Sequence, residues 1–241
     1  MPERFVREQD MIEPIINNAA VYTGDVRPWM TFLECVGNSG IADIVFVDFD
    51  QDAINNRLLR GLKPLVSAVD IHALLALGCG EPSPLSTVSS KIGYSPSHTK
   101  SALSRLVALG FVEKYDDGYL MLNCFHSVVK SIIAIEVKRE NWTRGLYQAR
   151  RYLRFANKSF LVLDKVYTNR ISPHIGKIGT QHIGLGFVNA SDYTVTILSH
   201  PEWRPALSGA DHALIGERLW SLTMSAGICR FAVQHEPVLL K

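Results

Sequence analysis

Glu136 and Lys138, separated by Val137, stand at the end of the apolar, β-branched run Ile132-Ile133-Ala134-Ile135. A run of this kind reads as a strand buried on both faces rather than one alternating between core and water. Because strand side chains alternate, the carboxylate and the ammonium project to one side and Val137 to the other. Opposite charges at the end of a buried strand are costly unless they pair, bind a metal or take part in chemistry. The same tripeptide also arises by chance as a solvated pair, so the surrounding elements decide between the readings.

Those elements are regular. Asn141 can cap a helix whose apolar residues Trp142, Leu146, Ala149, Leu153 and Ala156 fall at spacings of four, three, four and three. Lys158 to Asp164 then reads as a second buried strand. Two strands joined by a crossover helix form a βαβ-like unit, in which ligands gather at strand ends. Upstream, Ile41 to Val47 is a further apolar run that Asp43 enters near its start, after a turn expected at Gly37-Asn-Ser-Gly40.

The run IAIEVK, the helix carrying Gln148, the strand FLVL and the upstream Asp43 together resemble the PD-(D/E)XK nuclease superfamily. The residue before the Asp is Ala42, where the family usually carries proline; the change removes a turn preference but no ligand. The resemblance covers the chain outside an insert and implies an α/β fold, a restriction-endonuclease-like mixed-sheet core flanked by helices. It further implies Mg²⁺, with Mn²⁺ as a substitute, held by the carboxylates of Asp43 and Glu136 and completed by the Val137 carbonyl. Lys138 would then orient or help deprotonate the attacking water, and Gln148 would hydrogen-bond the phosphate or an outer water. Some members add a Glu from the first helix. Residues 4 to 22 read as that helix and Glu13 is the candidate, beside the ordinary reading of a solvated helix carboxylate. Glu34, in an expected strand from Trp29 to Val36, has no role assignable from sequence.

Residues 54 to 123 change character and read as an insert, leaving the core as 1–53 and 124–241. Three helical segments precede a hairpin around Asp116-Asp117-Gly118, an order that looks like a winged helix-turn-helix domain. In that fold the third helix enters the major groove and the wing meets the backbone. Its polar face carries Ser97, His98, Lys100, Ser101, Ser104 and Arg105, side chains able to reach phosphates and base edges. A protein-interaction module is the alternative, since fold alone does not give function. The helix after Lys138 adds a basic stripe that includes Arg144 and Arg151, either a solvated face or a grip on a nucleic-acid backbone.

With 241 residues, 47% hydrophobic, the chain can bury a sizeable core, and a net charge of +2 argues against a strongly polybasic binder. Cys35, Cys79, Cys124 and Cys229 lack metal-site spacing and read as reduced thiols of a cytoplasmic protein. The first ten residues lack a signal peptide's apolar core, and no apolar stretch is long enough for a bilayer. The expectation is a Mg²⁺-dependent deoxyribonuclease acting on double-stranded DNA, with no membrane partner and with a homodimer as a natural arrangement for cutting two strands. Its rivals are a DNA-binding regulator with an inactive core and an RNA-processing nuclease.

Overall fold

The computed structural model describes residues 3–24, 29–37 and 40–226; Asn38 and Ser39 of the expected turn, and Cys229, lie outside them. In chain order the helices are α1 (Ile12–Asn17), α2 (Ala20–Thr23), α3 (Gln51–Leu59), α4 (Ala68–Leu77), α5 (Leu85–Ile92), α6 (Pro96–Ala108), α7 (Trp142–Tyr152), α8 (Thr168–Ile171), α9 (Ile175–Gly179) and α10 (Gly209–Ser225). The strands are β1 (Met30–Gly37), β2 (Gly40–Phe49), β3 (Val112–Tyr115), β4 (Gly118–Met121), β5 (Val129–Lys138), β6 (Lys158–Asp164), β7 (Ile183–Val188) and β8 (Val195–Ser199). Two compact units emerge, one from residues 3–48 and 130–209 and the other from 49–129 and 210–226.

The first unit is built on a six-stranded mixed sheet of order β1-β2-β5-β6-β7-β8. β1 and β2 are antiparallel, β5, β6 and β7 run parallel, and β8 returns antiparallel to β7. Parallel neighbours need a crossover, which α7 supplies between β5 and β6. Each sheet face has its own core. Ile44, Phe46, Ile133, Ile135, Val137, Phe160 and Val162 pack with Met11, Ile15 and Tyr22 on one side. Leu161, Leu163, Leu185 and Phe187 pack with Leu146 and Ala149 of α7, and with Ile171 and Ile178, on the other. Helices thus cover both faces, which explains why the central strands read as continuous apolar runs. At Gly184 a Cβ would lie 2.3 Å from the Phe160 ring, so β7 needs glycine for the sheet to pack as it does.

The helix expected over residues 4 to 22 is three pieces: a 3₁₀ turn at Glu8–Met11, then α1, then α2. Asn18 breaks it, its side chain donating to the Pro14 carbonyl at 2.8 Å. Ahead of the turn, the Phe5 amide donates to the buried Asp164 carboxylate at 2.9 Å and fixes the chain start at the end of β6.

The second unit holds the antiparallel hairpin β3–β4 and helices α3, α4, α5, α6 and α10 from Ala210 onward. Ser67 caps α4, and Ser95 caps α6 ahead of Pro96. Ile71, Leu74, Leu77, Val88, Leu103, Leu106, Phe111, Met121 and Leu214 form one core. Three expectations are corrected here. The unit is larger than residues 54–123, because Asp50 caps a polar helix, α3, that carries no apolar stripe in its sequence. α10 belongs to this unit from Ala210 onward: Leu214 fills its core and Glu217 pairs with Arg57. Cys79 and Cys124, expected to be reduced, are bridged with Cα atoms 5.7 Å apart, while Cys35 is a buried free thiol. Among the described residues no helix is long and apolar enough to cross a membrane.

Candidate active site

Strand alternation works as the sequence implies. Val137 enters the core that packs with α1, whereas Glu136 and Lys138 turn toward the face covered by α7. Asp43 alternates with Ile44 on β2, so it shares the face of Glu136. Its carboxylate accepts from the Val137 amide at 2.7 Å, which brings the two strands' functional residues together.

Lys138 stands among carboxylates. Its Nζ lies 2.5 Å from Glu136 Oε1, 3.6 Å from Glu8 Oε2 and 4.0 Å from Asp43 Oδ2. The same nitrogen donates a hydrogen bond to the Val137 carbonyl at 2.9 Å. Its approach to Glu136 Oε1 is an ion pair without hydrogen-bond geometry, so that oxygen is buried with no hydrogen-bond partner. Gly145 allows this closeness: a Cβ there would meet Lys138 Cγ at 2.8 Å and Leu161 Cδ1 at 2.6 Å. Gln148 follows one turn later on the same helix face, with a buried Oε1 that also lacks a partner. One more turn brings Tyr152, whose hydroxyl meets both the Ile41 carbonyl, at 2.5 Å, and Glu136 Oε2.

A phenol has one proton and here faces two acceptors. The hydroxyl hydrogen is shared between the Ile41 carbonyl and Glu136 Oε2, both of which accept from it. Burial pushes Glu136 up to about 7, the Asp43 charge adds to the rise, and the nearby Lys138 ammonium and Tyr152 hydroxyl oppose it. Burial also raises Asp43 against the Val137 amide and Lys138, with Glu8 and Glu34 pushing the same way as burial. For Lys138 burial acts downward, but Glu136, Asp43 and Glu8 outweigh it and the ammonium is held above its ordinary range.

Three carboxylates, Glu8, Asp43 and Glu136, therefore act on one ammonium, and Glu34 acts on Asp43. Glu34 sits opposite Asp43 where the β1–β2 register skips from Leu33↔Ile44 to Cys35↔Ala42, with φ 50°, an uncommon backbone for a non-glycine residue. Excess negative charge, two carboxylates from adjacent strands and a Glu136 oxygen with no hydrogen bond fit a hard divalent cation. Among the described residues no group of three His, Cys, Asp or Glu side chains is gathered closely enough to hold an ion. A backbone carbonyl or water would complete the shell, and the Val137 carbonyl at present receives Lys138.

Of the residues expected from sequence, Asp43, Glu136, Lys138 and the Val137 backbone come together, and Gln148 lies on the helix face above them. Glu13 does not join them: it is exposed on α1, and the carboxylate arriving from the chain start is Glu8, which also accepts from the Arg139 amide at 3.1 Å. Arg144 and Arg151 are exposed on α7 away from Gly145, Gln148 and Tyr152, with the Arg151 guanidinium 5.8 Å from the Tyr147 ring centroid. In the second unit Ser97, His98, Lys100, Ser101 and Ser104 are exposed on α6. Arg105, also exposed on α6, pairs with the buried Asp70 carboxylate at 2.5 and 3.2 Å. Tyr152, Glu8 and Gly145 were not singled out by sequence; the periodicity that puts Gly145, Gln148 and Tyr152 on one face was the available signal.

Three comparisons bear on kinship: no family model matches the chain, and neither the curated proteins nor the solved structures contain a match to it.

Proposed function

We propose that the first unit is the core of a divalent-cation-dependent nuclease that hydrolyses DNA phosphodiester bonds, of the restriction-endonuclease-like, PD-(D/E)XK kind. The observation that carries this reading is the buried Glu136, whose Oε1 makes no hydrogen bond and is ion-paired with Lys138 at 2.5 Å, beside Asp43 on the neighbouring strand. The order of elements supports it: a helical start, an antiparallel strand pair, a third strand ending in Glu-Val-Lys, a crossover helix and a parallel fourth strand. The second unit's three helices followed by a hairpin support a winged helix that grips duplex DNA through the exposed polar face of α6.

A cation held by Asp43 and Glu136 would lower the pKa of a bound water and offset charge on the phosphate oxygens. Lys138 supplies the fixed positive charge. Its ammonium, anchored by the Val137 carbonyl and the Gly145 contact, is positioned to orient the attacking water and to stabilise charge that builds in the transition state. Gln148 Oε1, buried without a partner, is an acceptor able to orient that water's proton, while its amide can donate to a phosphate oxygen. Asp43, with a side chain 33% exposed against 1% for Glu136, is the more accessible of the two proposed ligands.

The test is cleavage of supercoiled plasmid in Mg²⁺ or Mn²⁺, with and without chelator, by wild type, Glu136→Ala and Lys138→Ala. Nicking or linearisation that needs metal, Glu136 and Lys138 together is the expected result. Metal-independent cutting, or cutting by both variants at the wild-type rate, overturns the reading. Tight duplex binding without cleavage under every condition would instead support a regulator whose Lys138 serves only as an internal countercharge.

A further inference from the structure

We propose that Tyr152 is a positioning residue that pins Glu136 by one oxygen, so that Oε1 alone is presented to the cation; the inference rests on the cation site of the nuclease reading. The argument begins with what a single hydroxyl touches. Tyr152 is 1% exposed and stands in the last turn of α7. Its oxygen meets the Ile41 carbonyl at 2.5 Å and Glu136 Oε2. Ile41 lies two residues before Asp43 on β2, and Glu136 lies on the adjacent β5. One phenol therefore ties the strand carrying one carboxylate to the side chain of the other.

The ring holds that hydroxyl in place. It packs on Phe155 with centroids 5.9 Å apart, and its Cε1 lies 3.6 Å from where a Cβ on Gly40 would stand. A Cβ at position 40 would thus stand at ordinary van der Waals distance, so the ring lies beside the start of β2.

The consequence is a division of labour between the two oxygens of Glu136. Oε2 is taken by the phenol, and Oε1 is buried with no hydrogen bond and is paired with the Lys138 ammonium at 2.5 Å, the contact a cation would replace. A carboxylate can bind a hard cation through one oxygen or both. With Oε2 occupied, Glu136 binds through Oε1 only, and its plane is set before any cation arrives. Partners behind a ligand commonly set metal affinity by about 10- to 100-fold. Ordering the ligand in advance is the physical source of that gain, because its rotamer freedom is not lost on binding.

The experiment is a Mn²⁺ titration of the full chain, followed by the electron paramagnetic resonance of free Mn²⁺, on wild type, Tyr152→Phe and Glu136→Gln. Tyr152→Phe is expected to weaken Mn²⁺ binding by about 10- to 100-fold. In plasmid cleavage it should raise the Mn²⁺ concentration for half-maximal rate by the same factor while leaving the KM for DNA unchanged, a split that loss of packing alone does not give. Glu136→Gln should lose the site altogether. Unchanged Mn²⁺ affinity in Tyr152→Phe, with wild type binding through Glu136, overturns the role of Tyr152 and leaves the nuclease reading standing. A wild type that binds no Mn²⁺ overturns the cation site and the role of Tyr152 with it. Should Tyr152→Phe fail to fold, infrared difference spectra of wild type with and without Mg²⁺ decide. The Glu136 carboxylate band, identified by its absence in Glu136→Gln, should show the wide splitting of one-oxygen binding, and the narrow splitting of two-oxygen binding overturns the proposal.

Discussion

Glu136 in the first unit and Glu217 in the second are both wholly buried carboxylates beside a basic side chain, and they are treated very differently. Glu217 accepts from both terminal nitrogens of Arg57 and from the Leu65 amide at 2.7 Å. Arg57 gives a further bond to the Lys63 carbonyl, and its guanidinium lies 4.8 Å from the Trp220 ring centroid and 4.9 Å from that of Phe111. Of the pair's nitrogens and oxygens only Arg57 Nε lacks a partner. Burial raises Glu217, and Arg57 and the Leu65 amide pull against it. Glu136 keeps an oxygen with no hydrogen bond, has a partner lysine drawn between several carboxylates, and is pushed to about 7 by burial and by the Asp43 charge. A satisfied buried pair holds elements together, whereas an unsatisfied one retains capacity for a ligand or a proton.

Breaking the two pairs should therefore have opposite signatures. The largest effect is expected at Glu217: Glu217→Ala strands the Arg57 charge in an apolar core and should cost about 3–5 kcal/mol in urea unfolding. A loss below about 1 kcal/mol would remove the distinction drawn here. Lys138→Ala is expected to lower the cleavage rate by about 10²- to 10³-fold with the melting temperature nearly unchanged. A variant that keeps its rate but melts early would make Lys138 a structural residue like Arg57.

The acidity of Glu136 gives a third contrast. Its folded value of about 7 lies above the ordinary 4.5, so the metal-free folded chain holds this proton more tightly than the unfolded chain does. The stability it contributes is complete below about pH 4.5 and disappears as pH rises through about 7, a span of about 3 kcal/mol. Asp43, also raised, acts in the same direction. Glu136→Gln should flatten that slope in denaturation measured from about pH 5 to 8, and an identical slope in wild type and variant would contradict the assignment. The smallest effects lie on α6. Lys100→Ala should weaken duplex binding and reduce its salt slope by about one, whereas Arg105→Ala should cost about 1 kcal/mol of stability, with its affinity loss no greater than the instability explains. The reverse pattern would place Arg105 on the DNA.

The gathering of the site residues was legible because strand alternation has a period of two and admits no drift. Glu136 and Lys138 had to share a face, and Asp43 had to share its own with Val45 and not with Ile44. The mixed sheet and the crossover helix followed from apolar runs and the Asn141 cap, which accepts from the Arg144 amide as expected. What was not legible depends on contacts distant in sequence or on a broken period. Glu8 stands where Glu13 was expected, reaching Lys138 and, 131 residues away in sequence, the Arg139 amide. Tyr152 reads as one more core position of an amphipathic helix, and only the fold shows its hydroxyl beneath Glu136. α10 changes unit through the Arg57–Glu217 pair and Leu214, and Cys79 finds Cys124 45 residues away without a motif.

The most direct measurement places Glu136→Gln and Glu217→Gln side by side with wild type in Mg²⁺-dependent plasmid cleavage at a temperature where all three are folded. The account predicts that Glu136→Gln loses cleavage and that Glu217→Gln, though less stable, cuts like wild type. Wild-type cutting by Glu136→Gln would contradict it, because the unsatisfied buried carboxylate would then have no part in the chemistry.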